Sequence, residues 1–366
     1  MSGGRIRVGV IGAGTISETY LQNLTSFPDL EVRMVADLDT ARAAAQAAKH
    51  GVPTAGSTAE LLGDPAVELV VNLTVPAAHV DVGLAALESG KHVWAEKPLA
   101  LDRASARKLL DRARELELRV ASAPDTVLGA GLQTARRAVD AGRIGEPRTA
   151  LALFQSPGPE SWHPAPEFLF QPGGGPLLDM GPYYLTALVH LLGPISRVTA
   201  TGSRARETRV IGSGPRAGAE FPVTVPTTVT ALLEFRRGGS AQVVLTFDSA
   251  LPRTTLELAG TLGTAVLPDP NRFDGPTLVH LLAGGNAQES APEGHGASRG
   301  TGVLDLARSI RAGVPERASG ALAYHVLDAM QSIEESIADQ RPVVVQSTAE
   351  APPTLPADWD PYARTV

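Results

Sequence analysis

The sequence predicts an α/β protein in which a doubly wound parallel sheet precedes an α+β domain built on a large, open, mainly antiparallel sheet. Two patterns predict it. Up to Ala121, short apolar runs alternate with segments of helical periodicity, as βαβ units do. From Ile195 onward, strand-like segments follow one another across glycine-containing turns, as hairpins do. A chain of 366 residues is long for one core, so two domains are expected, at 1–124 and 125–366.

Ile6, Val8, Val10 and Ile11 form the first apolar run, which ends in Gly12-Ala13-Gly14; Ile16, Tyr20, Leu21, Leu24 and Phe27 then recur at helical spacing. EVRMVADLD is the next strand, followed by an alanine-rich helix from Thr40 to His50 and a turn at Gly51-Val52-Pro53. ELVVNLTVP is a strand, 78–88 a helix closed by Gly90, and KHVWAEKP a strand stopped by Pro98. Asp102 precedes a helix with Ala106, Leu109, Leu110, Ala113 and Leu116 on one face, and a further strand starts at 119–121. Past Pro124 a helix is read over 131–141. SRVTATGS, TTVTALLEF and SAQVVLTF are strands, the last two joined at Arg236-Arg237-Gly238-Gly239. Residues 212–218 and 283–300 read as surface loops. Helices at 303–312 and 322–339 precede a proline-rich tail that packs against a domain rather than forming its own.

Composition narrows the function classes. Apolar residues make up 43% and charged residues 19%, ordinary for a globular protein. A net charge of −7 with no basic run argues against nucleic acid or a membrane surface as the main partner. Cysteine is absent, which excludes disulfides, thiolate metal sites and a cysteine nucleophile; no metal is expected. With no apolar leader segment and no run long enough to span a bilayer, a cytoplasmic protein is expected.

Gly12-Ala13-Gly14-Thr15-Ile16-Ser17 fits G-x-G-x-x-G with Ser17 in place of the third glycine. Gly12 allows the tight turn, Gly14 lets backbone approach a pyrophosphate, and Thr15 and Ile16 open the helix whose N-terminus stabilises that charge. Asp37 ends the second strand, where a carboxylate accepts both ribose hydroxyls and repels a 2′-phosphate. NAD is therefore the expected cofactor, with NADP left open by Arg42. Capping of the helix near Thr40 is the alternative task for Asp37 or Asp39, and Asp39 is the better placed. Leu73, Thr74 and Pro76 after one strand, and Glu96 and Lys97 after another, converge on the same crevice, because ligands of such sheets sit at the strands' carboxyl ends. Pro98 holds Lys97 extended and stops the ladder, and His79 begins a helix near the cofactor rather than acting as a base.

GVIGAGTIS, NLTVPAAH, GKHVWAEKPL and GGGPLLDMG occur in an order and at intervals that resemble the Gfo/Idh/MocA oxidoreductases, the group of glucose-fructose oxidoreductase and inositol dehydrogenase, over nearly the whole chain. The resemblance implies a Rossmann domain holding NAD or NADP, then a C-terminal sheet that supplies the substrate site and an oligomer interface, for a homodimer or homotetramer. It implies that Lys97 lies beside the nicotinamide and the reacting hydroxyl, and that Asp179 binds or orients substrate. The family's motif runs on from this Asp as D-x-G-x-H, with the His as acid/base; here Tyr183 stands at the His position. Some relatives, including the glucose-fructose enzyme, use tyrosine as well. An acidic residue frequent three positions later is Thr186 here, which separates the chain from the inositol dehydrogenases.

Pro182 suits a first helical turn and Gly193-Pro194 a stop, so a short helix is expected over 183–192. If its phase extends back to Asp179, then Asp179, Tyr183, Thr186 and His190 share one stripe, and Tyr184 joins Leu188 and Leu191 on the packing side. Tyr183 is thus assigned to the site. A free phenol titrates at about 10, so a tyrosine acid suits ketone reduction better than the reverse. His163 in ESWHP is the second acid/base candidate, with Trp162 offering an indole face to a sugar ring. Asp125 and Thr126 are substrate contacts on position alone. The expected activity is hydride transfer between NAD and a secondary hydroxyl or keto group of a sugar or polyol. An NAD-assisted glycosidase and a non-catalytic NAD-binding regulator are the other two readings.

Overall fold

The computed structural model describes residues 4–366. The chain forms two compact units: one takes the chain up to Ala130 together with Gly294–Leu327 and Pro352–Val366, the other Gly131–Glu293 and Asp328–Ala351.

The first unit is built on a six-stranded parallel sheet of β1 (Ile6–Ile11), β2 (Leu30–Ala36), β3 (Thr54–Gly56), β4 (Leu69–Asn72), β5 (His92–Ala95) and β6 (Val120–Ser122), in the doubly wound order β3-β2-β1-β4-β5-β6. Strands β1 and β4 are apolar runs buried almost throughout, as strands covered on both faces must be. Register positions the site: Ala36, Ile11, Asn72, Ala95 and Ser122 form one row across five strands. The residues that follow them therefore leave the sheet along one edge. Helices α1 (Thr15–Leu24), α2 (Thr40–His50), α3 (Thr58–Gly63), α4 (His79–Glu88) and α5 (Arg103–Glu115) connect the strands. Their starts are capped where the sequence offers a cap: Asp39 accepts from the Ala41 and Arg42 N–H groups, Ser57 and Glu60 form a capping box, and Asp102 accepts from Ser105.

In the second unit α6 (Ala130–Asp140) leads into β7 (Pro147–Gln155), and α7 (Gly175–Leu192) follows. Strands β8 (Ile195–Ser203), β9 (Thr208–Val210), β10 (Glu220–Pro222), β11 (Thr228–Phe235), β12 (Ser240–Thr246), β13 (Arg253–Gly260), β14 (Gly263–Leu267), β15 (Thr277–Leu281) and β16 (Gln288–Ser290) come next. With β17 (Val343–Val344) they form a nine-stranded sheet, β16-β15-β14-β13-β7-β12-β11-β8-β17, and a β9/β10 ribbon. Every pairing in the large sheet is antiparallel except β7 with β12. The β11/β12 hairpin turns at Arg236-Arg237-Gly238-Gly239, as expected. On the face opposite α7, Leu232, Val244, Leu151, Leu153, Val266 and Leu278 lie exposed or half-buried.

Helices α8 (Thr301–Ala312) and α9 (Gly320–Asp339) confirm two further predicted helices, but α8 lies in the first unit. Its Val303, Leu304, Leu306, Ala307 and Ile310 join one core with Tyr20, Leu24 and Trp94. The tail does pack against a domain: the Tyr362 ring lies 5.9 Å from that of Phe27. The sequence reading put all of 294–366 in the second domain. Helical periodicity reveals an apolar face, not which sheet that face will cover. Among the described residues no helix is long and apolar enough to cross a membrane.

Candidate active site

In the first unit the strand-end row delivers Gly12, Asp37, Leu73 and Glu96 to one edge. Gly12 has φ +104, and a Cβ there would lie 2.6 Å from the Leu73 carbonyl oxygen, so only glycine fits this turn. At Gly14, the N-cap of α1, a Cβ would meet nothing within 4 Å, and no side chain caps the helix. Thr15 and Ile16 follow in the first turn. The start of α1 is thus an uncapped cradle with room in front of it, which suits a pyrophosphate.

Asp37 is buried and engaged. Its Oδ2 accepts from the Ala13 N–H at 2.6 Å, and its Oδ1 accepts from the Asp39 N–H at 2.9 Å and from Arg42 at 2.7 Å. Burial pushes its pKa up, but the bonds from Arg42, Ala13 and Asp39 outweigh that and hold the carboxyl below its ordinary range. Capping of α2 falls to Asp39, as the spacing suggested. Two apolar residues flank this edge in the open: Leu38 is 100% exposed and Val75 66%.

Asn72, fully buried, donates to the His79 carbonyl at 3.0 Å, while its Oδ1 accepts from the Thr74 N–H at 3.2 Å and the Thr74 hydroxyl at 2.6 Å. His79 opens α4 after the short turn begun by Pro76, as expected. Its ring is a strut, with Nδ1 2.7 Å from the Pro98 carbonyl and Nε2 3.0 Å from that of Thr74. The strut ties the loop after β4 to the Glu96-Lys97-Pro98 turn. Glu96 accepts from the Tyr20 hydroxyl at 2.7 Å and from the Lys97 N–H at 3.0 Å.

Asp125 and Thr126 are almost wholly buried in this unit. The Oδ2 of Asp125 accepts from Gly300 at 2.9 Å and Gly302 at 3.0 Å, serving the start of α8. Burial pushes its pKa up to about 6 against those two donors, with Glu96 adding to the rise. This task is at odds with the substrate contact expected of Asp125, which rested on position alone. Thr126 Oγ1 is buried without a hydrogen-bond partner among the described residues.

In the second unit the helix that was expected over 183–192 starts at Gly175. Pro176, not Pro182, occupies the first turn; Pro182 lies inside, where it lacks the N–H that would bond the Leu178 carbonyl. Because α7 runs unbroken from 175, the phase assumed for Asp179 and Tyr183 holds. Every residue of α7 except Asp179 is buried. Tyr183 keeps 7% exposure, whereas Tyr184 has none; Tyr184 donates to the Leu153 carbonyl at 3.2 Å and packs on Phe154. Burial, then Asp269, pushes the Tyr184 phenol up. His190 ends the stripe in the core, where burial, then Arg136, lowers its pKa to about 3, and neither ring nitrogen has a partner among the described residues.

His163 stands between Trp162 and Phe168, 5.5 Å from each ring and edge-on to both. Its Nδ1 accepts from the Ala165 N–H at 3.1 Å. Trp162 is 67% exposed and Phe168 53%. The Phe168 carbonyl lies so close to Gly174 that a Cβ there would sit 2.3 Å from it, which sets this aromatic group beside the start of α7. Arg209, which the sequence reading did not find, anchors the loop. Buried over the Phe170 ring, it pairs with Glu160 and Asp248 and donates to the Pro157 and Phe247 carbonyls. A lone arginine in a three-residue strand gives no periodic signal. No cluster of three or more metal-ligating side chains occurs among the described residues.

Residues 6–123 match the model "Oxidoreductase family, NAD-binding Rossmann fold", and residues 132–266 match "GFO/IDH/MocA C-terminal domain". The chain belongs to the Gfo/Idh/MocA oxidoreductase family. It is 37% identical over 238 residues, 63% of this chain and 69% of the relative, to dTDP-3,4-didehydro-2,6-dideoxy-alpha-D-glucose 3-reductase of Streptomyces antibioticus. It is 30% identical over 268 residues, 72% and 75% of the two chains, to trans-1,2-dihydrobenzene-1,2-diol dehydrogenase of Bos taurus. A solved structure titled as levoglucosan dehydrogenase in complex with NADH and L-sorbose has the same fold, with a TM-score of 0.83 and 22% identity over 94% of this chain and all of that one. As a Gfo/Idh/MocA protein, the chain is an oxidoreductase whose N-terminal domain is an NAD-binding Rossmann fold.

Proposed function

We propose that this Gfo/Idh/MocA protein transfers hydride between NAD and a ring carbon bearing a secondary hydroxyl or keto group, in a sugar or related cyclic polyol. The observation that carries the reading is the run of contacts in the first unit from the Gly12 turn through Leu73, Thr74 and His79 to Pro98, which supports a role for the adjoining Lys97 at the cofactor. The residues fit NAD: the uncapped start of α1 takes the pyrophosphate, and Asp37 takes the ribose. Leu38 and Val75 offer exposed apolar surface to an aromatic ring. Arg42, already paired with Asp37, supports NAD over NADP. Bound NAD supplies the hydride acceptor or donor. Lys97 Nζ polarises the substrate oxygen, Tyr183 Oη exchanges its proton, and Asp179 orients the ring through its hydroxyls. Trp162 stacks on the sugar, with His163 the alternative acid. Relatives that act on a keto sugar and on a cyclic diol support a ring-borne secondary oxygen.

The test is a panel of sugars and polyols incubated with NAD+, following NADH absorbance and, with aryl glycosides, release of the aglycone. NADH formation that Lys97→Met abolishes without loss of NAD+ binding supports the reading. Aglycone release without net NADH would move the protein to an NAD-assisted glycosidase, and no signal with any compound would leave a regulator. We further propose a second copy on the open face of the nine-stranded sheet around Leu232, within a cytoplasmic setting; a monomeric mass in light scattering would remove the dimer.

A further inference from the structure

Tyr20 projects from α1, the helix whose start forms the cofactor cradle, and its ring is fully buried. Its hydroxyl accepts from the Trp94 indole N–H at 3.2 Å and donates to Glu96 Oε1 at 2.7 Å, while Glu96 Oε2 accepts from the Lys97 N–H at 3.0 Å. Three hydrogen bonds in series thus run from the indole to the backbone of Lys97. A hydroxyl that accepts one bond and donates the next is polarised by both, and its carboxylate acceptor makes the second bond charge-assisted. Burial, then the charges of Glu96 and Asp125, raises the phenol's pKa well above 10, so it remains a donor at any working pH. The indole cannot swing away, because a Cβ at Gly302 would already lie 2.1 Å from its ring. Without the phenol, Glu96 would lose one of its two donors and with it a fixed orientation.

We infer that Tyr20 is a positioning residue that links the cofactor cradle on α1 to Lys97 by holding the Glu96 carboxylate, so that seating of NAD is felt at the Lys97 turn. The inference rests on the NAD-dependent reading above. Tyr20→Phe removes one oxygen and leaves the packing of the ring intact. The chain has three tryptophans, Trp94, Trp162 and Trp359, so 5-fluorotryptophan labelling gives three assignable fluorine resonances. Titration with NAD+ alone should move the Trp94 resonance in the wild type and leave it unmoved in Tyr20→Phe, with NAD+ affinity changed less than about threefold. In turnover with a substrate from the panel, Tyr20→Phe should lower kcat by about 10- to 100-fold at unchanged KM for NAD+. The primary deuterium isotope effect should rise, a response that a purely structural role would not produce. Should Tyr20→Phe fail to fold, Glu96→Gln interrupts the same series one link later, because its NH2 group replaces one of the two oxygens that accept from Tyr20 and from the Lys97 N–H, and the same loss of the Trp94 response is expected. If NAD+ binds and Trp94 responds alike in wild type and variant, the inference is overturned while the NAD reading stands. If NAD+ does not bind the wild type, both fall.

Discussion

The first unit draws its candidate polar groups from several strand ends, whereas in the second Asp179 and Tyr183 share one helix. Asp37, Asn72, His79 and Glu96 are each held by hydrogen bonds to neighbouring groups, and the sheet register places them. Asp179 and Tyr183 instead lie one turn apart on α7, among residues that are otherwise buried. Groups at strand ends are placed by topology. Groups on one helix are placed by its phase.

The largest expected effect follows from that contrast. Tyr183→Phe should lower kcat by about 10²- to 10⁴-fold in steady-state assays, with NAD+ affinity preserved. Equal losses from Tyr183→Phe and Tyr184→Phe would sink the argument from helical phase. Next is Asp125→Asn in the first unit. The folded carboxyl titrates at about 6, above the ordinary value of about 3.9, so the folded state binds the proton more tightly than the unfolded chain. Stability from this group is fully present below about pH 4 and is lost as pH rises through 6, on the order of 3 kcal/mol in all. An asparagine carbonyl still accepts from Gly300 and Gly302 and never ionises. The variant should therefore gain on the wild type in urea midpoint between pH 4 and pH 8; a gap independent of pH would show that Asp125 carries no such strain. The smallest effect is Tyr184→Phe, which removes the bond to the Leu153 carbonyl and should cost about 1 kcal/mol of stability with kcat unchanged.

Much of the first unit was legible because strand, glycine turn and capped helix are local signals: the extent of α2 and the caps Asp39 and Asp102 need only a few residues to specify them. In the second unit, Gly173, Gly175, Pro176, Gly181 and Pro182 read locally as breakers, yet α7 begins on Gly175 and Pro176 and passes through Gly181 and Pro182. Burial on nearly every side outweighs propensities that would stop an exposed helix. Of the candidate site, the strand-end residues were readable from topology, and the partner groups were not. Asp125 meets its donors 175 and 177 residues later in the chain, and Arg209 meets Glu160 and Asp248 across distances that no local pattern spans.

The late return of the chain to the first unit has a consequence for biosynthesis. All six strands of the nucleotide-binding sheet have been made once Ser122 is added, but Asp29, wholly buried beneath them, waits for Arg308 and for the Thr365 and Val366 N–H groups. Trp94 and Tyr20 likewise stay uncovered until α8 is translated. The earliest-made sheet is therefore completed by residues 279 and 336 positions beyond Asp29, and its core stays open until they are translated.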